Sequence, residues 1–417
     1  MLSDFTGRCL IIALGLFLLS TQLVKAEDYY VAATGSGTGA NAGSPASISA
    51  LNTKLTNLTN KTLNVYFAAG TYNMPSALTF GSVANNSGAN VTFMTLSGNK
   101  DVTFAASGTG YRFVDFVSAG VSGNAFSFTM RNLIVQGYTT GTNFIYVQAH
   151  SNVRFEGCDF LNNTVTGSRM FTAEAAYSLM SFYNCNFTNN QLTTNNEFIY
   201  SNGANSPLIL QGCNFDNNYS GYSFLYNSTQ AFNITSCTFK NSGSRSSPFI
   251  YSVGAPSQLT ITGSTFTSCQ TGDYFIFDTD AASNAVITDC EFKQITAPTN
   301  SLLLRGNSTI TNTKFTENTT TTRLIQAPTT GTTIKVIGST FTSNKSTQTL
   351  LYADGTGLII SGSTFDGNEI TAGGDYGIIT NDIAADGSAT IYDNYFLNNT
   401  TTGNTSSIFR NNGNSSI

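Results

Sequence analysis

The stretch GCNFDNNYSG, residues 212–221, carries a Cys, a Phe and an Asn at fixed offsets, and the phrase returns all along the chain. Aligned on its Phe, GCDF ends at Phe160, NCNF at Phe187, GCNF at Phe215, SCTF at Phe239, GSTF at Phe266 and DCEF at Phe292. NTKF ends at Phe315, GSTF at Phe341 and again at Phe365, and DNYF at Phe396. The intervals run from 23 to 31 residues and cluster near 26. NLIVQG extends the series backwards with Val135 in the Phe position, and Phe104 is a weaker match one turn earlier. Self-similarity at such a period marks a repeat architecture.

Two further runs recur inside each interval. FIYV starts at Phe144, FIYS at Phe198, FLYN at Phe224, FIYS at Phe249 and FIFD at Phe275, while LILQ starts at 208, LTIT at 259 and LIIS at 358. These runs are short, apolar or alternating, rich in β-branched and aromatic residues, and bounded by Gly, Asn and Ser, which is the pattern of strands. Three short strands per unit predict an all-β parallel solenoid of about 12 coils, each burying its apolar face only by stacking on its neighbours. At the ordinary strand spacing a dozen coils make a rod of about 60 Å. Propeller blades would need tight hairpin turns, and Asn-Gly and Asp-Gly pairs are too few and irregular for that.

Period two puts Cys213 and Phe215 on one face of a strand. The Phe column is nearly pure, so that face points inward. The Asn three places after the Phe also repeats, as Asn163, Asn190, Asn218, Asn318, Asn344, Asn368 and Asn399. A side-chain amide both donates and accepts, so these residues are expected to form a hydrogen-bonded ladder and to turn the chain at a corner. A row of ligand-binding amides is the alternative. Cys158, Cys185, Cys213, Cys237 and Cys290 all stand two before the Phe, where other coils have Ser264, Thr313, Ser339 and Ser363, so the slot takes a small buried side chain. Cys269 falls in the ladder position instead. Neighbouring coils bring such cysteines within disulfide range; Cys158–Cys185 and Cys213–Cys237 are the candidate bridges, with stacked free thiols as the equal alternative. No metal or cofactor is expected, because there is no Cys-x-x-Cys and His150 is the only histidine.

Before the repeat, Arg8 precedes the apolar run CLIIALGLFLL (Cys9–Leu19), and Val24-Lys25-Ala26 offers a cleavage site. Residues 1–26 are read as a secretory signal, and no membrane insertion of the mature chain is expected. Residues 27–75 are assigned to an N-terminal cap and first coil, and 76–417 to the solenoid. Ile48, Leu51, Leu55 and Leu58 fall at helical spacing after Ser44-Pro45, as an amphipathic capping helix would require. Ile408 and Phe409 begin another coil close to the end of the sequence, which suggests either truncation or end-to-end docking on an identical chain or another cell-surface protein. Only 10% of residues are charged and 12% are aromatic, with a net charge of −5. That balance allows a large core and excludes nucleic acid as a partner, since no basic cluster can meet phosphates.

The residues FLNN, FTNN, FDNN, FTEN, FTSN and FDGN resemble the Phe-x-x-Asn repeats of the polymorphic outer-membrane proteins. The start, YYVAATGSGTGANAGSPASISALN (Tyr29–Asn52), and VYFAAGTYN (Val65–Asn73) are similar to the opening of secreted pectin-lyase-like right-handed β-helix proteins. The resemblance implies a right-handed parallel β-helix. It does not fix an activity, since that fold hosts lyases, hydrolases, adhesins and fibres.

Polysaccharide lyases and hydrolases need acids at matching positions on neighbouring coils. Asp278 and Asp280 find Ser252 and Gly254 one coil earlier; Glu156 and Asp159 find Tyr183 and Asn186 one coil later. His150, Arg154 and Glu156 form the best remaining cluster, more simply explained as polar side chains on a turn. The position before the Phe (Asp159, Asn186, Asn214, Thr238, Glu291, Lys314) is too mixed for a flat threonine array. Of 16 Asn-x-Ser/Thr sequons, those on the ladder should be poor acceptors, while Asn57, Asn60, Asn85, Asn90, Asn186, Asn227, Asn233, Asn307 and Asn404 are expected to be accessible. The sequence therefore leads to a secreted, non-catalytic structural or adhesive β-helix with end-to-end assembly as an option. A carbohydrate-active enzyme or glycan-binding protein of the same fold is the alternative.

Overall fold

The computed structural model describes residues 26–56, 58, 60–81, 88–116, 122, 124–228, 231–254, 258–354, 357–371, 377–382, 389–402 and 407–411. The signal assignment thus lies almost wholly outside the described residues, as do Asn57, Asn85 and Asn404. One coil shows the plan. Leu208–Gln211, Asn214–Asp216, Tyr219–Ser220 and Leu225–Asn227 are four successive strands. Each pairs in parallel with its equivalent one coil earlier and one coil later. The first sheet gathers 14 strands from Glu27–Val31 to Ala389–Tyr392, and the second 13 from Gly70–Met74 to Tyr395–Leu397. The third has 13 strands from Leu78–Phe80 to Ser407–Asn411. The fourth strand of the coil was not expected from the sequence. It is only two residues long, and it builds two five-stranded sheets joined by the bridges Gly243↔Gln270 and Gln270↔Thr296. Two residues are too few to show any alternation of apolar and polar side chains.

The opening phrase can now be read residue by residue. Gly212 has φ +64°, and the same corner holds Asn132, Gly157, Asn184, Ser236, Gly263, Asp289, Asn312, Gly338 and Gly362, all at positive φ. Cys213 and Phe215 point inward and are buried, whereas Asn214 and Asp216 between and after them are partly exposed. The chain turns again at Asn217 (φ +56°), matched by Asn162, Asn189, Asn241, Ser268, Gln294, Glu317, Ser343, Gly367 and Asn398. Asn218 follows, buried. The sequence reading gave both turning and laddering to one Asn. The structure divides them: the residue before the ladder Asn takes the left-handed backbone, where Asn and Gly are least penalised.

The rings of Phe160, Phe187, Phe215, Phe239, Phe266, Phe292, Phe315, Phe341, Phe365 and Phe396 form one column. Successive centroids lie 4.3 to 5.1 Å apart with interplanar angles of 1° to 12°. Val135 pairs with Phe160, and Phe104 with Val135, so the column runs back through both. Parallel sandwiches are not the preferred aromatic geometry; in-register strands impose them, and edge-to-face contacts supplement them. Phe198, Phe224, Phe249 and Phe275 make a second stack, against which the first column packs edge-on, as in Phe215–Phe224 at 5.7 Å and 79°. Each buried Phe contributes about 1.5–3 kcal/mol of transfer free energy.

The amide ladder has one consistent bonding scheme. Asn190 Nδ2 donates to Asn218 Oδ1 one coil on (2.9 Å) and to the Phe160 carbonyl one coil back (2.8 Å), while the Asn190 backbone N–H also donates to Asn218 Oδ1 (3.0 Å). Asn163 donates to Asn190 in the same way, as do Asn318 to Asn344, Asn344 to Asn368 and Asn368 to Asn399. Ser242, Cys269 and Ile295 interrupt the ladder between Asn218 and Asn318, and Ser242 Oγ takes over as acceptor for the Asn218 N–H.

At the start, the helix Ile48–Lys54 is capped by Ser47, whose Oγ accepts from the Ala50 N–H. Leu51, Leu55 and Leu58 are buried, although Leu58 lies beyond the helix. Asn52 docks the helix on the first strand of the third sheet: its Oδ1 accepts from the Thr79 N–H at 2.7 Å, and its Nδ2 donates to the Ala77 carbonyl. A strand edge that would otherwise be open is thereby covered.

Candidate binding surface on the third sheet

The FIYS-type runs place alternate residues outside. In Phe198-Ile199-Tyr200-Ser201, Ile199 and Ser201 belong to the interior and Tyr200 faces outward. Register then aligns Tyr146, Thr172, Tyr200, Tyr226, Tyr251, Phe277, Leu303, Gln326, Tyr352, Thr380 and Arg410 in one outward column. Tyr200 and Tyr226 stack at 4.6 Å and 21°, Tyr226 meets Tyr251 edge-on at 5.3 Å and 88°, and Tyr251 lies parallel to Phe277 at 5.3 Å and 5°. Tyr274 adds a ring 4.6 Å from Phe277. The sequence signal for this column is the period of two within each run, which sets Tyr200 on the side opposite Ile199 and Ser201.

Cations lie over the rings at both ends of this strip. The Arg169 guanidinium sits 3.7 Å from the Tyr200 ring centroid and Arg323 sits 3.9 Å from that of Tyr352. Arg169 is fixed from the other side by Glu197 (Nε–Oε2 2.5 Å) and by Glu174. Tyr200 and Tyr352 are consequently buried, while Tyr226, Tyr251, Tyr274 and Phe277 remain partly open to solvent. Burial, aided by the neighbouring phenols Tyr200 and Tyr251, pushes the Tyr226 hydroxyl up to about 12. Burial and the nearby carboxylates Asp354 and Asp382 do the same for Tyr352.

Those carboxylates correct the sequence reading, which found no acids at matching positions. Asp354 and Asp382 are register partners on neighbouring strands of the third sheet, and the Tyr352 hydroxyl donates to Asp382 Oδ2 at 3.1 Å. Burial, then Asp382, raises the Asp354 carboxyl above the usual carboxylate range. The two stand 28 residues apart in sequence, beyond the apolar core of the LLYA and GIIT runs, so alignment on those runs alone stopped short of them.

The cluster singled out from sequence is not brought together as one site. Glu156 is clamped between Arg131 (Nε–Oε2 2.5 Å) and Arg154, and Arg154 also covers the Tyr183 ring at 3.9 Å. His150 stacks on Tyr177 instead. Asp159 is held by Lys100 and by the Asn186 amide, Asp278 is buried inside the third sheet, and Asp280 caps a turn through the Ala282 N–H. Cys158, Cys185, Cys213, Cys237, Cys269 and Cys290 are free and buried, so the candidate bridges Cys158–Cys185 and Cys213–Cys237 are not formed. Burial pushes the Cys185, Cys269 and Cys290 thiols up. Cys158 and Cys213 point at the carbonyls of Met130 and Phe182 one coil earlier.

Among the sequons, Asn60, Asn90 and Asn307 are exposed, and Asn186 and Asn233 are partly exposed. Asn227, expected among the accessible ones, is buried: it falls on the inward side of the third sheet, in register with Ser201 and Ser252, and its amide donates to the Ala231 carbonyl. Asn218, Asn318 and Asn344 are buried on the ladder. Among the described residues there is no cluster of His, Cys, Asp and Glu able to hold a metal, and no helix long and apolar enough to cross a membrane.

Residues 117–284 match the family model described as "Right handed beta helix region". No curated protein matches the chain. Among solved structures, a rhamnogalacturonan lyase is 11% identical with a TM-score of 0.34, over 70% of this chain and 82% of that one. The catalytic unit of a GH87 α-1,3-glucanase from Streptomyces thermodiastaticus is 12% identical with a TM-score of 0.32, over 90% and 69%. The Streptococcus pneumoniae surface protein and adhesin PfbA is 11% identical with a TM-score of 0.26, over 84% and 91%. The family match over residues 117–284 and the three long parallel sheets show the fold, a right-handed parallel β-helix.

Proposed function

We propose that the protein is an extracellular, non-catalytic adhesive β-helix whose contact surface is the outward aromatic column of the third sheet. The run Tyr200, Tyr226, Tyr251 and Phe277, continuous over four coils and partly open to solvent at its last three members, carries this reading. Aromatic side chains supply large contact area at low entropic cost and pair an apolar face with a polar tip. The acidic residues that the sequence offered for catalysis are committed elsewhere, Glu156 to two arginines and Asp159 to Lys100. Retention of the purified chain on glycan-coated surfaces tests the reading. Wild type is expected to be retained and a Tyr226→Ala/Tyr251→Ala variant to be retained markedly less; equal retention of both would remove the column from the account.

The second reading is a carbohydrate-active enzyme. It rests on Asp354 and Asp382, a carboxylate pair on adjacent coils with a tyrosine hydroxyl on one member and a raised pKa on the other. Two carboxyl groups held side by side across neighbouring coils are the kind of pair that hydrolysis of a glycosidic bond uses.

A further inference from the structure

At the corner that leads into the first sheet, three successive coils carry His150, Tyr177 and Asn205, at φ +52°, +59° and +57°. Asn and His are both enriched in the left-handed region, but a residue as bulky as Tyr177 there is costly and calls for an explanation. The chain makes this corner through hydrogen bonds that need no particular side chain: the His150 N–H donates to the Ala176 carbonyl and the Tyr177 N–H to the Ala204 carbonyl. Nothing in that backbone scheme requires rings at 150 and 177.

What the rings do is build a wall. They lie parallel at 5.0 Å and 12°, and Tyr177 is 53% exposed. Beside them is a shallow pocket of about 440 Å³, lined by the amides of Asn124, Asn152 and Asn205 and by Leu179 and Pro207 as well. Among the described residues, no Asp, Glu, Lys or Arg lines it.

We propose that this pocket binds a neutral pyranose unit of a glycan. A pyranose has an apolar face of C–H groups, which suits an exposed aromatic ring, and a rim of hydroxyls, each both donor and acceptor, which suits side-chain amides. The absence of charge in the lining selects against uronic acids, which a cationic site would hold. Four coils supply the pocket, so a sugar chain laid along the solenoid axis would meet Asn124, His150, Tyr177 and Asn205 in turn, about 4.8 Å per coil. The site is separate from the third-sheet column and stands whether or not that column is adhesive.

The test uses the whole secreted chain and the probes maltohexaose, cellohexaose and mannohexaose, with hexagalacturonate as the acidic control. His150 is the only histidine, so its ring protons give a single, assigned NMR reporter in the unmodified protein. At least one neutral hexasaccharide is expected to shift the His150 signals on titration, and hexagalacturonate to leave them in place. Tyr177→Ala should weaken binding roughly tenfold and Tyr177→Phe less than about threefold, with circular dichroism confirming that both variants fold. Lys335→Ala, an exposed change on the outward side of the first sheet away from the pocket, should bind as wild type does. Silence of His150 towards all neutral probes, a shift with hexagalacturonate alone, or loss of binding in the Tyr226→Ala/Tyr251→Ala variant but not in Tyr177→Ala would overturn the proposal. The last outcome would leave the adhesive column standing.

Discussion

Asn190 and Asn218, 28 residues apart in sequence, are joined Nδ2 to Oδ1 at 2.9 Å inside the solenoid. Asn218 also accepts from the Asn190 backbone and donates to the Phe187 carbonyl. Removing it strands donors and an acceptor in a dry interior. Asn218→Ala is therefore expected to destabilise by about 1–3 kcal/mol, read as a lower denaturant midpoint. An unchanged midpoint would mean that the ladder carries little of the fold's stability.

Phe215 sits between Phe187 at 4.3 Å and Phe239 at 4.6 Å, with Phe224 edge-on. Phe215→Ala should cost about 3–5 kcal/mol. Because coils contact only their neighbours, the loss should be local: hydrogen exchange is expected to quicken in the coils around residues 187 and 239 and to stay slow near residues 341–365. Uniform acceleration along the chain would contradict nearest-neighbour stacking.

The corner at Gly212 takes Asn in equivalent coils, at Asn184 and Asn312, also with positive φ. A Cβ at 212 would start 2.3 Å from Asn184 Oδ1, so either variant must displace that side-chain amide. Gly212→Val should be more destabilising than Gly212→Asn by about 1–2 kcal/mol, since a branched residue resists the left-handed region that Asn tolerates. Thermal melts of the two variants side by side decide it.

Tyr226 has its hydroxyl pKa raised from 10.0 to about 12 by burial and then by Tyr200. Between those values the unfolded chain has lost the proton and the folded chain has kept it, so stability falls as pH rises through that window and is fully present below it. Near-ultraviolet titration should show a tyrosinate component near pH 12 that shrinks in Tyr226→Phe. A set of tyrosines ionising together near pH 10 would show that the column is more open than described.

Of the six cysteines among the described residues, five lie in slots that Ser264, Ser339 and Ser363 fill in other coils, where Ser264 Oγ donates to the Thr262 carbonyl, and Cys269 takes a ladder position. Cys213→Ser should fold with a cost below about 1.5 kcal/mol. In the native chain the six should resist alkylation, and all should react after denaturation without reductant. Fewer than six would reveal a bridge, with Cys158–Cys185 and Cys213–Cys237 as the pairs to look for.

Much of the fold was legible because its signals are inward and periodic. Phe215 recurs at a fixed offset from Cys213 and Asn218, and only an in-register solenoid uses all three at once. The short strand Tyr219–Ser220 was not legible, since two residues carry no period. Asn217 was overlooked because the more regular Asn218 took credit for the corner. Outward chemistry was harder to read. Tyr200, Tyr226 and Tyr251 were visible as letters but not as a surface, and Asp354 and Asp382 became neighbours only once strand pairing fixed the register. Asn227 misled in the opposite sense: its sequon suggests exposure, but its place two residues after an inward Leu225 puts it inside.

The measurement that bears most directly on the central claim, that this β-helix binds without cutting, is release of reducing or unsaturated ends from neutral and acidic polysaccharides. It is run on the intact chain beside Asp354→Asn/Asp382→Asn, with and without calcium. The account predicts no release above background by either protein. Turnover by the wild type that disappears in the double variant would contradict it, and would make the Asp354–Asp382 pair the catalytic centre of an enzyme.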